Sequence, residues 1–375
     1  MYLKKISLKN FRNFIDEEEE FEKGVNVFVG KNAQGKTNLL ESIYYCAFGR
    51  SFRTKQDRDL VNYNFSHYIV RALAYSEEKG NFEVKLIYRK DRGIKEGYIN
   101  GVKCENISQI MGKIKIVIFY PDHLLIVKGP PAGRRRYLDG QMILSVPSYY
   151  HYFRQYNNIL KNRNALLSSK KNNGIWVWDE QLALYGSKIM SRRIEVVENL
   201  SKKVKEIYNN LTEGRWILEM KYTPSLGDIT PAMGEGEISK SFLKVLDKNR
   251  DRDERLGFTT SGPHRDDICF FLNGRSLKDF GSQGQHRLAV LALKLAEAEF
   301  IKENTGESPI LLLDDVVSEL DFEKRQLFFK MLRDCQVFIT TADLWTLEEN
   351  FLKKVYLWEI IGGKIKKISG LREDC

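Results

Sequence analysis

The stretch GKNAQGKT constrains this chain of 375 residues more than any other segment. An apolar segment, VNVFV, runs into it, and a segment of helical character, NLLESIYYCAF, leaves it. The spacing G-x-x-x-x-G-K-[ST] between a strand and a helix predicts a loop whose backbone N–H groups surround phosphates. We therefore expect α/β architecture and a nucleoside triphosphate bound by Gly30, Lys31, Asn32, Ala33, Gln34, Gly35, Lys36 and Thr37.

A second motif, which is acidic, completes the predicted nucleotide site. Lys36 is expected to reach the β- and γ-phosphates, and the Thr37 hydroxyl to bind magnesium. The buried-strand pattern PILLLDD places Asp314 where a carboxylate binds magnesium through water, and Asp315 where it can polarise the attacking water. Catalysis would then depend on Lys36, Asp314 and Asp315. A strand that ends in Asp-Asp is also an ordinary helix cap or turn.

The third motif is the polar stretch GSQGQHR, Gly281–Arg287, which stands at the start of an apolar helix. It contains no lysine that could hold a phosphate. It resembles the LSGGQ signature of ABC-type ATPases at Ser282, Gly284 and Gln285, and departs from it at Gly281 and Gln283. In that family the loop binds the γ-phosphate held by a second subunit, and a helix N-terminus suits that role. The alternative is a plain helix N-cap.

Two further segments resemble motifs of the same ATPases. SELD, residues 318–321, resembles the loop that crosses the dimer interface, which makes Asp321 a candidate nucleotide contact. TTAD follows the next strand, where these ATPases often place a switch histidine. Thr340 or Thr341 could contact the γ-phosphate in its place.

The combined motifs resemble the RecF family of recombination mediators over nearly the whole chain. They are KNFRNF, the P-loop, YLDG, SGPHRDD, SQGQHR and LLLDDVVSELD, in this order. The resemblance implies an α/β fold, an ABC-type P-loop ATPase head like that of SMC proteins, interrupted by a helical arm. The expected domains are the N-terminal head (1–120), the arm (121–254) and the C-terminal head (255–375). Independently, a helical pattern from about Pro147 to Gly214, divided by the turn material KKNNG, predicts an antiparallel helical arm, and the second segment has apolar spacings of 3, 4 and 7 from Ile189 to Leu211.

The same resemblance implies a function. The chain is expected to use ATP and Mg²⁺, to dimerise when ATP is bound, and to bind DNA, both duplex and gapped or single-strand junction. It would be a weak, DNA-stimulated ATPase whose slow hydrolysis releases the clamp, and it would help RecR and RecO to load RecA. Arg12 matches a basic position that contacts nucleotide in SMC-type heads, although a surface arginine is an equal alternative.

Other residues leave the interpretation open. Arg134, Arg135 and Arg136 could contact DNA phosphates or report nucleotide state to the arm, or form a solvated turn. His264 and its neighbours in SGPHRDD are interpreted as a hydrogen-bonded turn rather than a metal site.

The alternatives in function are a scaffold that binds nucleotide without hydrolysis, a transporter motor and an SMC-like chromosome ATPase. The scaffold would show no DNA-stimulated phosphate release, and the last two need membrane-coupling surfaces or long heptad arms. A metabolic P-loop kinase would not explain SQGQ or SELD.

Composition limits the partners and the cellular location that can be expected for the chain. The net charge of +10 suits a polyanionic partner, although excess lysine also favours solubility. Cysteines that stand far apart, without CxxC pairs, predict reduced, mostly buried thiols. No apolar run approaches the ~20 residues of a membrane span. We therefore expect a cytoplasmic protein with no membrane partner.

Overall fold

The computed structural model describes residues 1–146, 148–169, 174–227, 229–316, 321–332, 334–343, 349–352 and 354–369. Over these residues the strands are β1 (Tyr2–Phe11), β2 (Phe14–Glu20), β3 (Val25–Val29), β4 (His67–Ser76), β5 (Gly80–Arg89), β6 (Ile94–Ile99), β7 (Val102–Lys103), β8 (Ile116–Phe119), β9 (Leu218–Thr223), β10 (Asp267–Leu272), β11 (Arg275–Ser276), β12 (Ile310–Asp314), β13 (Val337–Thr341), β14 (Tyr356–Ile361) and β15 (Lys364–Ser369). The helices are α1 (Lys36–Phe48), α2 (Leu124–Lys128), α3 (Pro131–Ser145), α4 (Tyr149–Ser169), α5 (Ile175–Leu211), α6 (Glu235–Lys248), α7 (Arg250–Leu256), α8 (Leu277–Phe280), α9 (Gln283–Thr305), α10 (Phe322–Met331) and α11 (Glu349–Leu352).

The chain divides into two compact units. The head unit contains residues 1–122 and the described residues from 297 onward, and the arm unit contains the described residues of 123–296. The second break therefore lies at 296/297, inside α9, and not at the predicted 254/255. The reason is that β10 pairs antiparallel with β9, so the segment that follows α7 completes a sheet of the arm unit.

The head unit contains a mainly parallel sheet with strand order β15-β14-β3-β13-β12-β8. Strands β8, β12 and β13 are buried at every position, as parallel strands covered on both faces require. Pairs β3–β13, β12–β13 and β3–β14 are all parallel. Their carboxyl ends consequently meet at one edge, which brings together the segments that follow β3, β12 and β13.

A second sheet of the head unit is antiparallel, with order β2-β1-β4-β5-β6-β7. Helix α1 packs on strands of both sheets. The acidic run DEEEE lies in β2, which is an edge strand of this sheet. Asn100 and Gly101 form the hairpin turn between β6 and β7, with φ of 50° and 79°.

Helices α4 and α5 form the predicted antiparallel pair of the arm unit. Tyr149 near the start of α4 bonds to Arg193 in α5, whereas Arg163 near the end of α4 bonds to Asp179 near the start of α5. The sequence did not predict β9, α6 or α7. Helix α6 begins at Glu235, where the Glu237 side chain accepts a hydrogen bond from the Gly234 N–H group.

Buried ion pairs hold the arm unit together. The Arg163 Nε atom donates to Asp179 Oδ1 at 2.6 Å, and Nη1 donates to Asp253 Oδ2 at 2.8 Å. A further bond of 2.8 Å joins Nη1 to the Thr259 hydroxyl. The side chains of Arg163 and Asp253 are fully buried, so removal of the arginine would leave the Asp253 carboxylate without this ion pair in a medium of low polarity, whereas Asp179 would keep a pair with Arg250 at 3.3 Å.

Exposure of the thiols differs from the prediction. Cys46 is buried, but Cys104, Cys269 and Cys335 are partly exposed; they lie next to β7, on β10 and just before β13. Cys375 lies outside the described residues. In the part of the chain that the structure describes, no helix combines the length and apolarity that a bilayer crossing demands.

We expect Arg163→Met to lower the free energy of unfolding by about 3–5 kcal/mol, because it removes the ion pair of the fully buried Asp253 and leaves Asp179 with its longer pair to Arg250. Arg192→Met is the matched control, since Arg192 forms an exposed pair with Glu195 and should change stability by less than about 1 kcal/mol. Urea denaturation followed by circular dichroism measures both variants. Equal stabilities would contradict the assignment.

Candidate nucleotide-binding site

The predicted phosphate loop lies between β3 and α1, as its flanks indicated. Lys31, Asn32 and Ala33 are exposed, whereas Lys36 is buried at the start of α1. Gly35 has φ of 120°, a conformation that a side chain disfavours. A side chain at Gly30 would collide with the backbone carbonyl of Ile360, so the loop passes against β14 with no space to spare.

Lys36 is held by the loop that it closes. Its Nζ atom donates to the Gly30 carbonyl and, at 3.0 Å, to the Lys31 carbonyl. Burial lowers the pKa of Lys36, and the nearby carboxylates of Asp315 and Asp314 oppose that shift. The ammonium group therefore points along the inside of the loop, where phosphate oxygens would replace the carbonyls.

Asp314, the last residue of β12, lies at the centre of the site. The Thr37 hydroxyl donates to its carboxylate with Oγ1 at 3.0 Å from each oxygen, and the Thr340 hydroxyl donates to Oδ1 at 2.7 Å. Burial raises the pKa of Asp314, and the bonds from Thr340 and Thr37 oppose this and favour the ionised form. The hydroxyl of Thr37 and this carboxylate are hard oxygen donors, so the pair fits Mg²⁺.

Asp315 follows with an exposed side chain and a left-handed backbone, φ 54°. Its N–H group lies 3.1 Å from Thr340 Oγ1 and 3.2 Å from the Thr340 carbonyl oxygen. Aspartate tolerates this conformation better than most residues, so the turn aims the second carboxylate away from the strand at small cost. The structure thus brings Lys36, Thr37, Asp314 and Asp315 together.

Thr340 takes a place different from the predicted contact with phosphate. Its buried hydroxyl donates to Asp314 and accepts from the Asp315 N–H group, so it joins the two acids. Thr341 instead donates to the Asp343 carbonyl at 2.9 Å. A direct contact of Thr340 with the γ-phosphate stays a prediction, and it would break the hydrogen bond to Asp314.

Arg12 lies beside α1 in a bidentate ion pair. Its Nε and Nη2 atoms donate to the buried Glu41 carboxylate at 2.8 and 2.9 Å, and Nη1 donates to the Asp59 carbonyl at 2.9 Å. These bonds occupy the guanidinium, and its contact with nucleotide stays a prediction. Sequence reasoning missed Arg53, whose Nη1 donates to Asn38 at 2.7 Å and whose charge opposes the rise that burial causes in the pKa of Asp314. GRSFRT, in which Arg53 lies, has no motif that would have marked this position.

The hairpin between β14 and β15 was also missed, although it supports the phosphate loop. The Gly362 N–H group donates to the Gln34 side chain at 2.6 Å, and the Gly363 N–H group donates to the Gln34 carbonyl at 3.0 Å. Asn13 donates to the same carbonyl at 2.8 Å. Gln34 is therefore fixed by residues from both ends of the chain, a relation that no local pattern encodes.

The loop GSQGQHR lies in the arm unit and opens α9. The Ser282 N–H group donates to the Gln285 side chain at 2.8 Å, and the Gln285 N–H group donates to the Ser282 hydroxyl at 3.2 Å. This reciprocal pair is a capping box, which keeps the exposed Ser282 and Gly284 at a fixed helix N-terminus. The helix-cap interpretation is confirmed as local structure, and the binding of phosphate by Ser282, Gly284 and Gln285 stays a prediction.

The predicted dimer-interface loop is only partly visible. Ser318, Glu319 and Leu320 lie outside the described residues. Asp321 caps α10, with Oδ1 accepting from the Lys324 N–H group at 3.1 Å, and it also pairs with the Lys324 side chain. Its nucleotide contact stays a prediction.

The arginine triplet lies in helix α3, so the alternative of a solvated turn is wrong. Pro131 at the first turn fixes the backbone for a helix, and Arg134 is buried in a bidentate pair with Asp267 at 2.7 and 2.8 Å.

In SGPHRDD the prediction of a hydrogen-bonded turn is confirmed. The His264 Nδ1 atom bonds to the Tyr156 hydroxyl, Nε2 bonds to the Thr259 carbonyl, and the Arg265 N–H group donates to the Gly262 carbonyl.

Comparison with known proteins agrees with this arrangement. Residues 2–358 match the family described as the RecF/RecN/SMC N terminal domain. A relative from Acetivibrio thermocellus, named DNA replication and repair protein RecF, is 42% identical over 95% of this chain and 98% of its own length. The protein of the same name from Clostridium kluyveri is 38% identical over 98% of this chain and 100% of its own length.

Solved structures give the same result. The structure described as the recombination mediator protein RecF-ATP in the RecFOR pathway is 36% identical, covers 98% of this chain and 99% of its own, and has a TM-score of 0.89. An SMC head bound to the C-winged helix domain of ScpA, 17% identical with a TM-score of 0.58, covers 100% of this chain and 98% of its own and shares the fold. The predicted fold class, an SMC-like ABC-type ATPase head with an inserted helical arm, is confirmed, and the chain belongs to the RecF family.

Proposed function

We propose that this protein is an ATP-dependent DNA-binding clamp of recombinational repair. The observation that carries the proposal is the hydrogen-bonded set at the edge of the parallel sheet, where Thr37 and Thr340 hold Asp314 beside Lys36. Relatives that share this chain's full length are named DNA replication and repair proteins, and a similar solved chain is described with ATP. ATP and Mg²⁺ are the proposed cofactors.

Each residue has a proposed task in binding. The N–H groups of residues 30–35 and the Lys36 ammonium would bind the phosphates, and Thr37 with Asp314 would hold the metal ion that neutralises developing charge on them. Arg12 and Arg53 would lie at the margin of the bound nucleotide. Asp315 would accept a proton from the attacking water as the bond to the γ-phosphorus forms and the bond to the β–γ bridging oxygen breaks.

The proposed dimer uses the loop at α9 in trans. Ser282 and Gly284 would face the γ-phosphate of a second copy, with Gln285 fixing the loop and Asp321 crossing the interface. An N-terminus preformed by a capping box needs no rearrangement to receive an anion, which lowers the cost of assembly. Binding energy would then bring two copies together, and slow, DNA-stimulated hydrolysis would release them.

The partners proposed for the dimer are DNA, both duplex and gapped, together with RecR and RecO, and RecA indirectly. A cytoplasmic location fits that function. The net charge of +10 supports attraction to phosphates.

Assembly is tested with Asp315→Asn, which should retain ATP because hydrolysis is blocked. Light scattering should give a dimer with Mg-ATP and a monomer with Mg-ADP. Adding Ser282→Arg should keep ATP binding and abolish the dimer, because the new side chain occupies the space of the phosphate, whereas Lys278→Arg should have no effect. A monomer in both nucleotides, despite measured ATP binding and with DNA present, would exclude pairing in trans.

Thr340→Val removes the bond that joins the two acids at almost unchanged volume. We expect single-turnover phosphate release to fall by about tenfold or more, since a hydrogen bond to a charged group contributes about 1.5–3 kcal/mol. ATP affinity should change less. Thr340→Ser keeps the hydroxyl and should retain most of the rate. An unchanged rate in the valine variant would rule out a role of the Thr340 hydroxyl in hydrolysis. Absence of phosphate release by the wild type would favour the alternative of a scaffold that binds nucleotide without hydrolysis.

DNA binding should depend steeply on salt. If six or more phosphates are contacted, the affinity of the ATP-bound dimer should fall by ~10³-fold between ~50 and ~200 mM salt. Fluorescence anisotropy with a labelled duplex measures this. The slope of log K against log salt gives the number of phosphates, and a flat line would refute electrostatic binding.

A further inference from the structure

The arm unit contains a pocket that the ATPase site does not use. Its volume is about 240 Å³, and it is lined by residues of α3, α4 and α5 and of the turn at Pro263 and His264. Phe153, Tyr156 and Ile189 form an apolar and aromatic wall, and Arg135 and Arg136 enter from α3. This volume lies just below the ~300–1,000 Å³ of typical ligand pockets, and since Ala132 and Arg136 are exposed at its mouth, the pocket suits a small ligand that lies partly in solvent.

The acidic residues around the pocket are all engaged by other groups. Asp139 accepts from Arg193 and from the Tyr149 hydroxyl, at 2.6 Å each. The two oxygens of Asp267 accept the bidentate pair from Arg134. Asp266 accepts from the Tyr222 hydroxyl and, at 2.7 Å, from the Ser225 N–H group.

Two guanidinium groups therefore lack a carboxylate partner. Arg135 donates Nη1 to the Asp266 carbonyl at 2.7 Å, and Arg136 makes a long bond of 3.4 Å to the Ala132 carbonyl. Among the described residues, no carboxylate lies within ion-pair distance of either. Burial and the charge of Arg193 lower the pKa of Arg135 by more than the carboxylates of Asp267 and Asp266 raise it, and an anion in the pocket would act in the same direction as these carboxylates.

The base of the pocket is rigid and already satisfied. Arg193 is buried, with Nε and Nη1 bonded to the Tyr149 hydroxyl and the Pro263 carbonyl, and the Tyr156 hydroxyl bonds to His264 at 2.7 Å. Because both nitrogens of His264 have partners and burial lowers its pKa to about 4, His264 is neutral near pH 7 and adds no charge. The charge offered to a ligand is that of Arg135 and Arg136.

Charge and shape together identify the ligand class. A carboxylate carries a single negative charge and would compensate only one of these guanidinium groups, whereas a phosphate monoester carries about −1.5 to −2 at pH 7. Guanidinium forks bind such phosphates with paired hydrogen bonds. The wall of Phe153, Tyr156 and Ile189 offers apolar contact to a planar ring.

We propose that this pocket binds a nucleoside monophosphate unit, with its phosphate held by Arg135 and Arg136 and its base against the wall of Phe153 and Tyr156. The unit could be a free mononucleotide or the phosphorylated terminal nucleotide of a DNA strand. The proposal does not rest on the function of the P-loop, since no residue of that loop lines the pocket.

Calorimetry on the full chain tests the proposal, with the P-loop saturated by Mg-ADP. We expect thymidine 5′-monophosphate to bind, and thymidine without phosphate to bind at least tenfold more weakly. Arg136→Gln and the double variant Arg135→Gln/Arg136→Gln should each raise Kd at least tenfold. Arg154→Gln is the matched control, because Arg154 is an exposed arginine of α4 that does not line the pocket.

Competition separates the two sources of the ligand. Displacement of the mononucleotide by an oligonucleotide with a 5′-phosphate, but not by the same strand with a 5′-hydroxyl, identifies a strand end as the ligand. Displacement by neither strand identifies the free nucleotide. The variant Ala132→Phe, at an exposed pocket residue, should block binding without removing a charge, which covers the case in which an arginine variant fails to fold. Absence of binding at millimolar ligand, or binding that the arginine and phenylalanine variants leave unchanged, would overturn the proposal.

Discussion

The nucleotide site of the head unit depends on the hydrogen bonds that the Asp314 carboxylate accepts. It is bonded to Thr37, 277 residues earlier in the chain, and to Thr340 on the neighbouring strand. Because β3 pairs with β13 and β14, the N-terminal strand lies inside a sheet made mostly of C-terminal strands. The phosphate loop and the acidic strand end therefore meet only when both ends of the chain have folded together.

Burial decides what these groups can do. Desolvation alone would favour a neutral Asp314 and a neutral Lys36, and it shifts the pKa of each in that direction. The hydroxyls of Thr37 and Thr340 and the mutual attraction of lysine and carboxylates oppose those shifts. Lys36 and Asp314 therefore stay ionised because the surrounding hydroxyls and opposite charges compensate their burial. An ionised lysine and an ionised aspartate side by side are what the binding of a polyphosphate together with a metal ion requires.

The sequence predicted the parts of this site that are local. The glycine spacing, the buried run before Asp314 and the helical periodicity of α5 are each contained in a few tens of residues, and periodicity reports burial directly. The support of Gln34 by Gly362 joins opposite ends of the chain, and the pairing of Arg12 with Glu41 and the bond from Arg53 to Asn38 join side chains of different elements at no regular spacing. No local pattern encodes such contacts, so they were missed or left as alternatives.

The arginine triplet shows why local reading fails for charge. Three consecutive residues of α3 point in directions about 100° apart, so they meet different surroundings. Arg134 is buried against Asp267, whereas Arg135 and Arg136 face a pocket without a carboxylate partner. Since Asp267 begins β10 and the Asp266 carbonyl accepts from Arg135, helix α3 is tied to the strand that leads through β11 and α8 to Ser282. Arg135 and the loop GSQGQHR are therefore connected through the single stretch 266–282 of the arm unit.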